Sequence, residues 1–214
     1  LLLPALWWQA PRPPPGQFEL LAADVGQGQA VLVRTARHAL LYDAGPRYHQ
    51  DSDAGQRVLV PLLRALGERL DALVLSHSDS DHIGGAAAVL AQQRGARLLA
   101  SLAADHPLQV LRPAQPCTAG QGWDWDGVRF EVLHPLPPPP PDAAPSGRPQ
   151  KPNAMSCVLR VTAVGGTSAL LAGDIERDQE QALLAAGAPL SADVLLVPHH
   201  GSKTSSSEAF VDAV

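Results

Sequence analysis

The chain has 214 residues, of which 45% are hydrophobic and 17% charged, and its formal net charge is −5. This hydrophobic content excludes a disordered tail, and the length suffices for one sizeable α/β domain or at most two small ones. The negative charge excludes a broad basic surface, so any contact with nucleic acid has to come from a local site.

The first residues, LLLPALWWQA, are similar to the exit of a transmembrane helix, with Trp7 and Trp8 at interfacial depth. The alternative is a loose apolar arm or a truncated signal peptide, because the apolar run before the tryptophans is too short to span a bilayer. The proline-rich PRPPPG is predicted to be an extended spacer. We therefore expect a membrane-exit and linker segment over residues 1–16 and a folded domain over residues 17–214.

The first half of the domain alternates strands with helices. A three-stranded meander is predicted from FELLAADV, AVLVRT and HALLYDAG. Apolar residues at helical spacing predict helices in VLVPLLRALGERL and GGAAAVLAQQRGA. Between these helices the buried strand DALVLSH leads into His77, and RLLAS is a further strand. The run GWDWDGVRFEVLHP predicts a hairpin that turns at Asp126 and Gly127.

The second half begins after a proline-rich insert, residues 135–152, which is predicted to be a mobile loop. SCVLRVTAV and TSALLAGD then predict a hairpin that ends on Asp174. A helix in ERDQEQALLAAGA and a strand in ADVLLVPHHGS follow, and SSSEAFVDAV begins a last helix that looks cut short. This order predicts an α/β fold with helices packed outside a pair of sheets.

Two cysteines, Cys117 and Cys157, lie beside predicted strands and outside any CxxC pair. This spacing disfavours a structural zinc knot. The two residues either form a disulfide, which an extracytoplasmic location would favour, or remain two unrelated buried thiols.

Histidines and aspartates follow the apolar strands in DALVLSH, ALLAGD and VLLVPHH. Because such strand ends lie along one edge of a sheet, we predict that they form a metal site. An extended backbone would direct His77, Asp79 and Asp81 to one side and His82 elsewhere, so this segment can serve two metals. The alternative, a solvated turn before a helix, explains neither histidine. Nitrogen and oxygen ligands without thiolates suit zinc, manganese or iron.

The motif HxDxDHxGG, from His77 to Gly85, resembles the metallo-β-lactamase superfamily signature HxHxDH, with Asp79 in place of the second histidine. DVGQGQA, LLYDAG, SCVLRV, LLAGD and VPHHGSKTS resemble the C-terminal domain of the ComEC competence proteins, which are integral membrane proteins of bacterial DNA uptake. The resemblance implies an αββα sandwich, two mixed β-sheets with helices on the outer faces, cut short at the C-terminus.

The resemblance also implies two divalent metal ions, zinc or manganese, and a ligand set. The ligands would be His77 and Asp79 for the first metal, Asp81, His82 and His200 for the second, and Asp174 as the bridge.

Four further positions follow from the same resemblance. His199 is the alternative to His200, which is favoured because the superfamily's last histidine usually precedes a glycine. His134 would be a third ligand of the first metal, or else an ordinary strand-end histidine. Asp24 would orient ligands without binding metal. Gln29 replaces an aspartate usual in relatives, a change that we expect not to affect the metals.

The implied activity is hydrolysis of DNA phosphodiesters, in which a hydroxide shared by the two metals attacks in line. Asp81 would accept the proton of the attacking water. Ser202, Lys203 and Thr204 would hold a phosphate, or else form a solvated loop that caps the last helix. Trp123 and Trp125 either stack on bases or pack against a face of the sheet.

The implied partners are DNA, as a single strand or as the duplex being taken up, and a transmembrane channel domain of the same full-length chain. No soluble cofactor is expected. The domain would be tethered to the inner membrane on its periplasmic side. The alternative functions are a metallo-hydrolase of small esters or lactams and a non-catalytic metal-binding module that guides DNA.

Overall fold

The computed structural model describes residues 10–137 and 151–214, which form two β-sheets packed face to face with helices outside both. The first sheet has six strands: β1 (Glu19–Ala22), β2 (Val31–Arg34), β3 (Ala39–Tyr42), β6 (Ala72–Leu75), β7 (Arg97–Ala100) and β8 (Ala114–Gln115). The second has five: β9 (Gly122–Trp125), β10 (Val128–His134), β11 (Val158–Thr162), β12 (Ser168–Leu171) and β13 (Val194–Leu196). A small separate hairpin consists of β4 (Arg47–His49) and β5 (Ser52–Asp53).

Both sheets are mixed, as predicted. In the first, β1, β2 and β3 form the expected antiparallel meander, and β3, β6, β7 and β8 run parallel. In the second, β9 to β12 are antiparallel and β13 pairs parallel with β12. The strands β3, β6, β12 and β13 therefore direct their carboxyl ends to a common edge, where ligand sites gather in such folds.

The described helices lie between the strands in sequence. They are α1 (Val60–Leu66), α2 (Ser80–Ile83), α3 (Ala86–Gln92), α4 (Pro107–Leu111), α5 (Arg177–Ala185) and α6 (Glu208–Ala213). A π-helical turn (Gly55–Leu59) leads into α1, and 3-10 turns lie at Asn153–Met155 and Pro198–Gly201. Glu176 and Gln179 form a capping box that fixes the start of α5.

Three apolar layers hold the sandwich together. The central layer lies between the sheets, where Tyr42 and Val74 of the first face Phe130 and Leu159 of the second. The outer layers pack α1, α3 and α4 on the first sheet and α5 and α6 on the second. Because both faces of β3 and β6 are covered, all their residues are buried and apolar or aromatic, the pattern of parallel strands buried on both sides. The predicted αββα arrangement is confirmed.

The hairpin predicted at Asp126 and Gly127 is confirmed, with positive φ angles of 52° and 84° that match a tight hairpin turn. Its two tryptophans pack on the sheet, since the Trp123 ring stacks on Phe130 with centroids 5.3 Å apart and Trp125 meets the same ring edge-on. The packing alternative for this pair is therefore confirmed over base stacking.

One local prediction is wrong: the backbone is not extended through residues 77–82. The chain turns into α2 at Ser80, so Asp81 and His82 occupy successive positions of a helical turn instead of alternating across a strand. The sequence did not predict β4, β5, α4 and β8. They are short, and their residues follow no regular apolar period.

The predicted linker divides between described and undescribed residues. Trp7 and Trp8 lie outside the described residues, as does most of the proline-rich insert, residues 138–150. Over residues 11–16 the predicted spacer lies against the domain: Arg12 pairs with buried Glu68, and the Gly16 amide donates to the Asp126 carbonyl. No helix in the described ranges combines the length and apolar character needed to cross a membrane.

Candidate metal centre

Polar side chains follow four strands at the shared carboxyl edge of the two sheets. Asp43 follows β3, His77 comes two residues after β6, Asp174 follows β12, and the His199–His200 pair follows β13. Because these strands are parallel within each sheet and the sheets face each other, the side chains converge from both sides of the sandwich.

The glycine pair after His82 allows close packing at this edge. A Cβ atom at Gly84 would lie 2.1 Å from the backbone nitrogen of Arg47, and one at Gly85 would lie 2.3 Å from the nitrogen of Gly55. Only glycine leaves room for this approach. The pair therefore lets α2 and α3 lie directly on the chain that follows β3, which fixes His82 at the edge of the sheet.

Two buried groups orient the histidines of the motif. The carboxylate of Asp43 accepts hydrogen bonds from the Ser76 amide at 2.7 Å, the Ser76 hydroxyl at 2.8 Å and Nδ1 of His82 at 2.8 Å. The Ser76 hydroxyl donates to Asp43 and so accepts from Nδ1 of His77, 2.9 Å away. Both imidazoles therefore carry their proton on Nδ1 in the neutral form and present Nε2 to the cluster, as metal-ligating histidines do.

The Nε2 atoms and carboxylates lie close together in two overlapping groups. One group consists of His77, His82 and Asp174, and the other of Asp81, His82 and His200, each with ligand atoms within 4.8 Å of one another. His82 Nε2 lies 3.1 Å from both Asp174 Oδ1 and His200 Nε2. Asp174 Oδ2 lies 3.9 Å from His77 Nε2 and 3.7 Å from His200 Nε2. Asp174 thus lies between the histidines of both groups.

The donor set fits divalent metal ions. His77 Nε2 is buried and has no hydrogen-bond partner among the described residues. Leaving such an atom unpaired costs about 1–3 kcal/mol, a penalty that metal coordination would remove. Imidazole nitrogens and carboxylate oxygens without thiolates suit zinc and manganese.

Charge balance distinguishes the two buried histidines. Burial opposes protonation of His82, but the Asp43 and Asp174 carboxylates outweigh it and raise its pKa to about 10. Burial and the neighbouring His82 charge lower the pKa of His77, so its Nε2 lone pair is free at neutral pH. Burial also opposes ionisation of Asp174, yet His82, His77 and His200 lower its pKa. A metal that binds here therefore replaces a proton on His82.

The sequence matches the family model for the metallo-beta-lactamase superfamily over residues 23–147, more than half of the chain. The chain belongs to the metallo-beta-lactamase superfamily. A solved B3 metallo-beta-lactamase with an active-site glutamic acid has the same fold, with a TM-score of 0.58 and 17% identity over 99% of this chain and 90% of that one.

Two curated relatives are similar over most of this superfamily domain. Competence protein ComA of Neisseria gonorrhoeae is 42% identical over 94% of this chain and 26% of its own length. ComE operon protein 3 of Bacillus subtilis is 34% identical over 92% of this chain and 27% of its own length. The chain thus spans about a quarter of the length of these relatives.

The remaining predicted ligands differ in their distance from the cluster of histidines and carboxylates. Asp79 is half-exposed, with Oδ2 3.6 Å from His77 Nε2. His200 lies in the cluster, with Nε2 3.3 Å from Asp81 Oδ2. Among the cluster residues His199 approaches Asp174, at 3.8 Å, while its Nδ1 contacts the Thr204 hydroxyl and lies 3.5 Å from Glu176. The structure therefore places His200, the favoured histidine of the pair, with Asp81 and His82.

The two adjacent histidines both approach Asp174 Oδ2, and their backbone has an unusual conformation. His199, His200 and Gly201 have successive positive φ angles of 49°, 50° and 74°, a conformation that costs energy for side chains other than glycine. Such strain persists where the surrounding structure compensates for it, and it is frequent at functional sites.

His134 is part of neither metal group in the described residues. It is buried at the end of β10, where Nδ1 donates to the Ser156 carbonyl at 2.7 Å, and burial lowers its pKa. Its Nε2 is therefore unprotonated, as in a ligand, and the Ser156 hydroxyl accepts from the Asp174 amide. His134 thus borders the centre through Ser156.

Asp43, and not Asp24, contacts the histidines of the cluster. Asp24 is exposed, and its carboxylate accepts from the nearby Gly26 amide, whereas Asp43 is fully buried against His82. Gln29, whose replacement of aspartate we expect not to affect the metals, lies near the same contact, because its side-chain amide donates to Asp43 at 3.2 Å. Position 29 is thus separated from His82 by a single side chain.

The loop after His200 holds the groups predicted to bind phosphate. Lys203 is exposed, while Thr204 donates to Glu176 at 3.0 Å and lies 3.1 Å from the Ser202 hydroxyl. The Thr204 hydroxyl is therefore already hydrogen-bonded to Glu176, at the start of α5. The last helix begins after Ser207, beyond this loop.

A disulfide joins Cys117 to Cys157 beside the centre. The Cys157 amide donates to the Ser76 carbonyl at 2.7 Å, and the Cys157 carbonyl accepts from the Tyr42 hydroxyl at 2.6 Å. The crosslink joins the chain after β8 to the start of β11, and the Cys157 amide connects this junction to Ser76, next to His77.

Proposed function

We propose that this chain is the metal-dependent phosphodiesterase domain of a membrane protein that takes up DNA, and that it degrades one strand of the incoming DNA. The observation that carries the proposal is the pair of overlapping groups, His77–His82–Asp174 and Asp81–His82–His200, at one sheet edge. The similarity to proteins named for competence supports DNA as the substrate and supports a domain like that of the ComEC proteins. The tether to the inner membrane and the periplasmic side are part of the proposal.

The chain would hold two divalent ions, zinc or manganese. His77 and Asp79 would bind the first, Asp81, His82 and His200 the second, and the Asp174 carboxylate would bridge them. When bound, such ions lower the pKa of a water molecule and neutralise charge on a phosphate. The buried Asp43 and Ser76 would keep both Nε2 atoms of the motif in the coordinating tautomer.

Hydrolysis forms a bond between a water oxygen and phosphorus and breaks the bond from phosphorus to the leaving oxygen, which yields a phosphomonoester and an alcohol. Asp81 is partly exposed at the mouth of the centre, so we assign it the orientation of the attacking water and receipt of its proton. Lys203 is an exposed cation in the loop after His200. We assign it the neutralisation of the charge on the bound phosphate, while Ser202 and Thr204 shape the loop.

The net charge of −5 does not exclude DNA cleavage, because the metal ions and Lys203 would supply local positive charge. Affinity would then be weak and would fall as salt rises. A transmembrane channel domain in the same full-length chain would offset this weakness by raising the local DNA concentration.

The test compares three substrates on the metal-stripped chain before and after addition of Mn²⁺ or Zn²⁺. These are labelled single-stranded DNA, bis-p-nitrophenyl phosphate and the β-lactam nitrocefin. The proposal requires metal-dependent cleavage of the first two. Nitrocefin hydrolysis without cleavage of either diester would replace the nuclease by a small-ester or lactam hydrolase.

A second candidate, a non-catalytic metal-binding module that guides DNA, is favoured by the first metal's ligands. Asp79 is half-exposed and His134 lies in neither group, so this metal has few protein ligands. Asp174→Ala separates the two functions. An enzyme should lose cleavage by orders of magnitude, about 10²-fold or more, whereas a guide should lose chiefly metal-dependent stability.

A further inference from the structure

A pocket of about 350 Å³ lies beside the metal centre, on the other side of the histidine motif. Ser78 and Ser80 line it, and they alternate in sequence with His77, Asp79 and Asp81, which face the centre. The motif is therefore a shared wall. When the reacting phosphate of a substrate lies at the centre, the group next to that phosphate would extend into this pocket.

The walls of the pocket are mostly apolar. Ile83 and Ala87 contribute one side, and Pro107, Leu108 and Leu111 of α4 the other. Leu111 is 55% exposed, so an apolar side chain faces solvent at the rim. Such a surface suits a flat, weakly polar group such as a nucleobase, which gains contact area when it leaves water.

The polar groups of the pocket are donors. Arg47 lines it, is exposed, and forms no ion pair with any described residue, and no carboxylate is among the lining side chains. His106 accepts the Leu108 amide on Nδ1, so its neutral ring has a donor at Nε2. A guanidinium without a carboxylate partner suits a phosphate or the face of a base.

The position of Arg47 is set by tight packing. Its backbone lies against Gly84, where a Cβ atom would approach within 2.1 Å of the Arg47 nitrogen. The glycine pair of the motif therefore holds both His82 at the centre and Arg47 at the pocket. The distance between the two sites is thus fixed by packed backbone and not by a flexible loop.

We infer that this pocket binds the nucleotide next to the cleaved phosphodiester, with its base on the apolar wall at Leu111 and its backbone phosphate on Arg47. The inference rests on the proposed function and adds to it a subsite for single-stranded DNA. A paired base could not enter a pocket of this size, so the subsite would select unpaired DNA.

The experiment uses three variants of the chain. Arg47→Ala removes the cation and Leu111→Ser removes the apolar wall, while Val110→Ser is the matched control, because Val110 is 88% exposed and does not line the pocket. Each is assayed with a single-stranded thymidine oligomer, an abasic oligomer of the same length, and bis-p-nitrophenyl phosphate.

We expect Arg47→Ala to lower kcat/KM for both oligomers about tenfold, the effect of one charge-assisted contact. Leu111→Ser should lower kcat/KM about tenfold for the thymidine oligomer alone, and Val110→Ser should change nothing. Val110→Ser should hydrolyse bis-p-nitrophenyl phosphate like the unsubstituted chain, and Arg47→Ala should lose less on this diester than on the oligomers, because it has no second phosphate. Equal losses on every substrate, or no loss on the thymidine oligomer, would overturn the subsite.

If the unsubstituted chain cleaves no diester, the proposed function fails and the subsite is judged by binding. Fluorescence anisotropy with the same two oligomers then replaces turnover. Weaker binding of the thymidine oligomer to Arg47→Ala and Leu111→Ser, with Val110→Ser unchanged, would support a nucleotide pocket in a DNA-guiding module. Identical binding by all four proteins would reject it.

Discussion

Asp43 Oδ2 accepts a hydrogen bond from His82 Nδ1 over 2.8 Å, and both side chains are fully buried. The bond fixes the imidazole tautomer and directs Nε2 towards Asp174 and His200. The same carboxylate holds Ser76, which in turn orients His77. One acidic residue at the end of β3 thus aligns a histidine in each half of the centre.

Asp43→Asn should therefore weaken metal binding. We expect a loss of about 10- to 100-fold in affinity, the usual effect of removing a group that orients a metal ligand. Competition with a chromophoric chelator measures it. Asp24→Asn is the control, since the exposed Asp24 carboxylate accepts from the Gly26 amide and should not affect affinity. A larger loss in Asp24→Asn than in Asp43→Asn would reverse these assignments.

The two adjacent histidines should differ when each is replaced by alanine. His200→Ala should lower the metal content per chain and the rate of diester cleavage by about 10²-fold or more, because it removes a group in the cluster. His199→Ala should retain the metal, because His199 belongs to neither close group of ligand atoms. Elemental analysis by mass spectrometry and turnover of bis-p-nitrophenyl phosphate decide between them. If only His199→Ala lost metal, His199 and not His200 would be the ligand.

The crosslink between Cys117 and Cys157 should contribute to stability. It closes a loop with a sequence separation of 40 residues, for which chain-entropy arguments give about 4 kcal/mol. Replacing both cysteines by serine should lower the unfolding free energy by about this amount in urea titrations. Intact-mass measurement should show no alkylation until a reductant is added. Labelling of both cysteines without reductant would contradict the crosslink.

Asp126 should stabilise the sandwich away from the centre. Its carboxylate accepts from the Arg37 amide and from Thr35, Arg37 and His38 side chains. Burial opposes ionisation, but these bonds lower the pKa well below the ordinary value of 3.8. A carboxyl whose pKa is lower in the folded state stabilises the fold at pH values above its unfolded pKa. This contribution is lost as the pH falls from the unfolded pKa to the folded pKa.

Asp126→Asn should consequently cost about 1.5–3 kcal/mol of unfolding free energy at neutral pH, the range for hydrogen bonds to a charged group. The difference from the unsubstituted chain should shrink as the pH falls below 3.8. Urea unfolding across this pH range measures it on metal-free protein. Asp124→Asn is the control on the same hairpin, because its partner Arg129 is exposed and such pairs contribute about 0–1 kcal/mol. A constant difference at all pH values would contradict the assignment.

Apolar strands that end on polar residues were enough to predict most of the centre. This pattern placed His77, Asp174 and the His199–His200 pair at one edge, because burial dictates the strand and the strand dictates where the next residue lies; the preference for His200 came from the family resemblance. Asp43 follows LLY in the same way, and the same signal predicts its position at this edge. Its role as an orienting group could not be predicted, since it depends on the Ser76 and His82 hydrogen bonds.

Short irregular elements account for the rest of the difference between sequence and structure. The turn at Ser80 is stabilised by amides that bond back to Asp79 and Ser80, which outweighs the extended pattern of the motif. The pocket depends on β4 and α4, whose positions follow from contacts distant in sequence, such as Arg47 against Gly84. Local periodicity has no information about such contacts.

The most direct test of the account is a crystal of the chain grown with Mn²⁺ or Zn²⁺ and measured at the absorption edge of that metal. We predict one anomalous peak within coordination distance of His82 Nε2, Asp81 and His200, and a second at His77 and Asp79, with Asp174 next to both. Metal-replete crystals without a peak between these side chains would contradict the central claim that they form a metal centre.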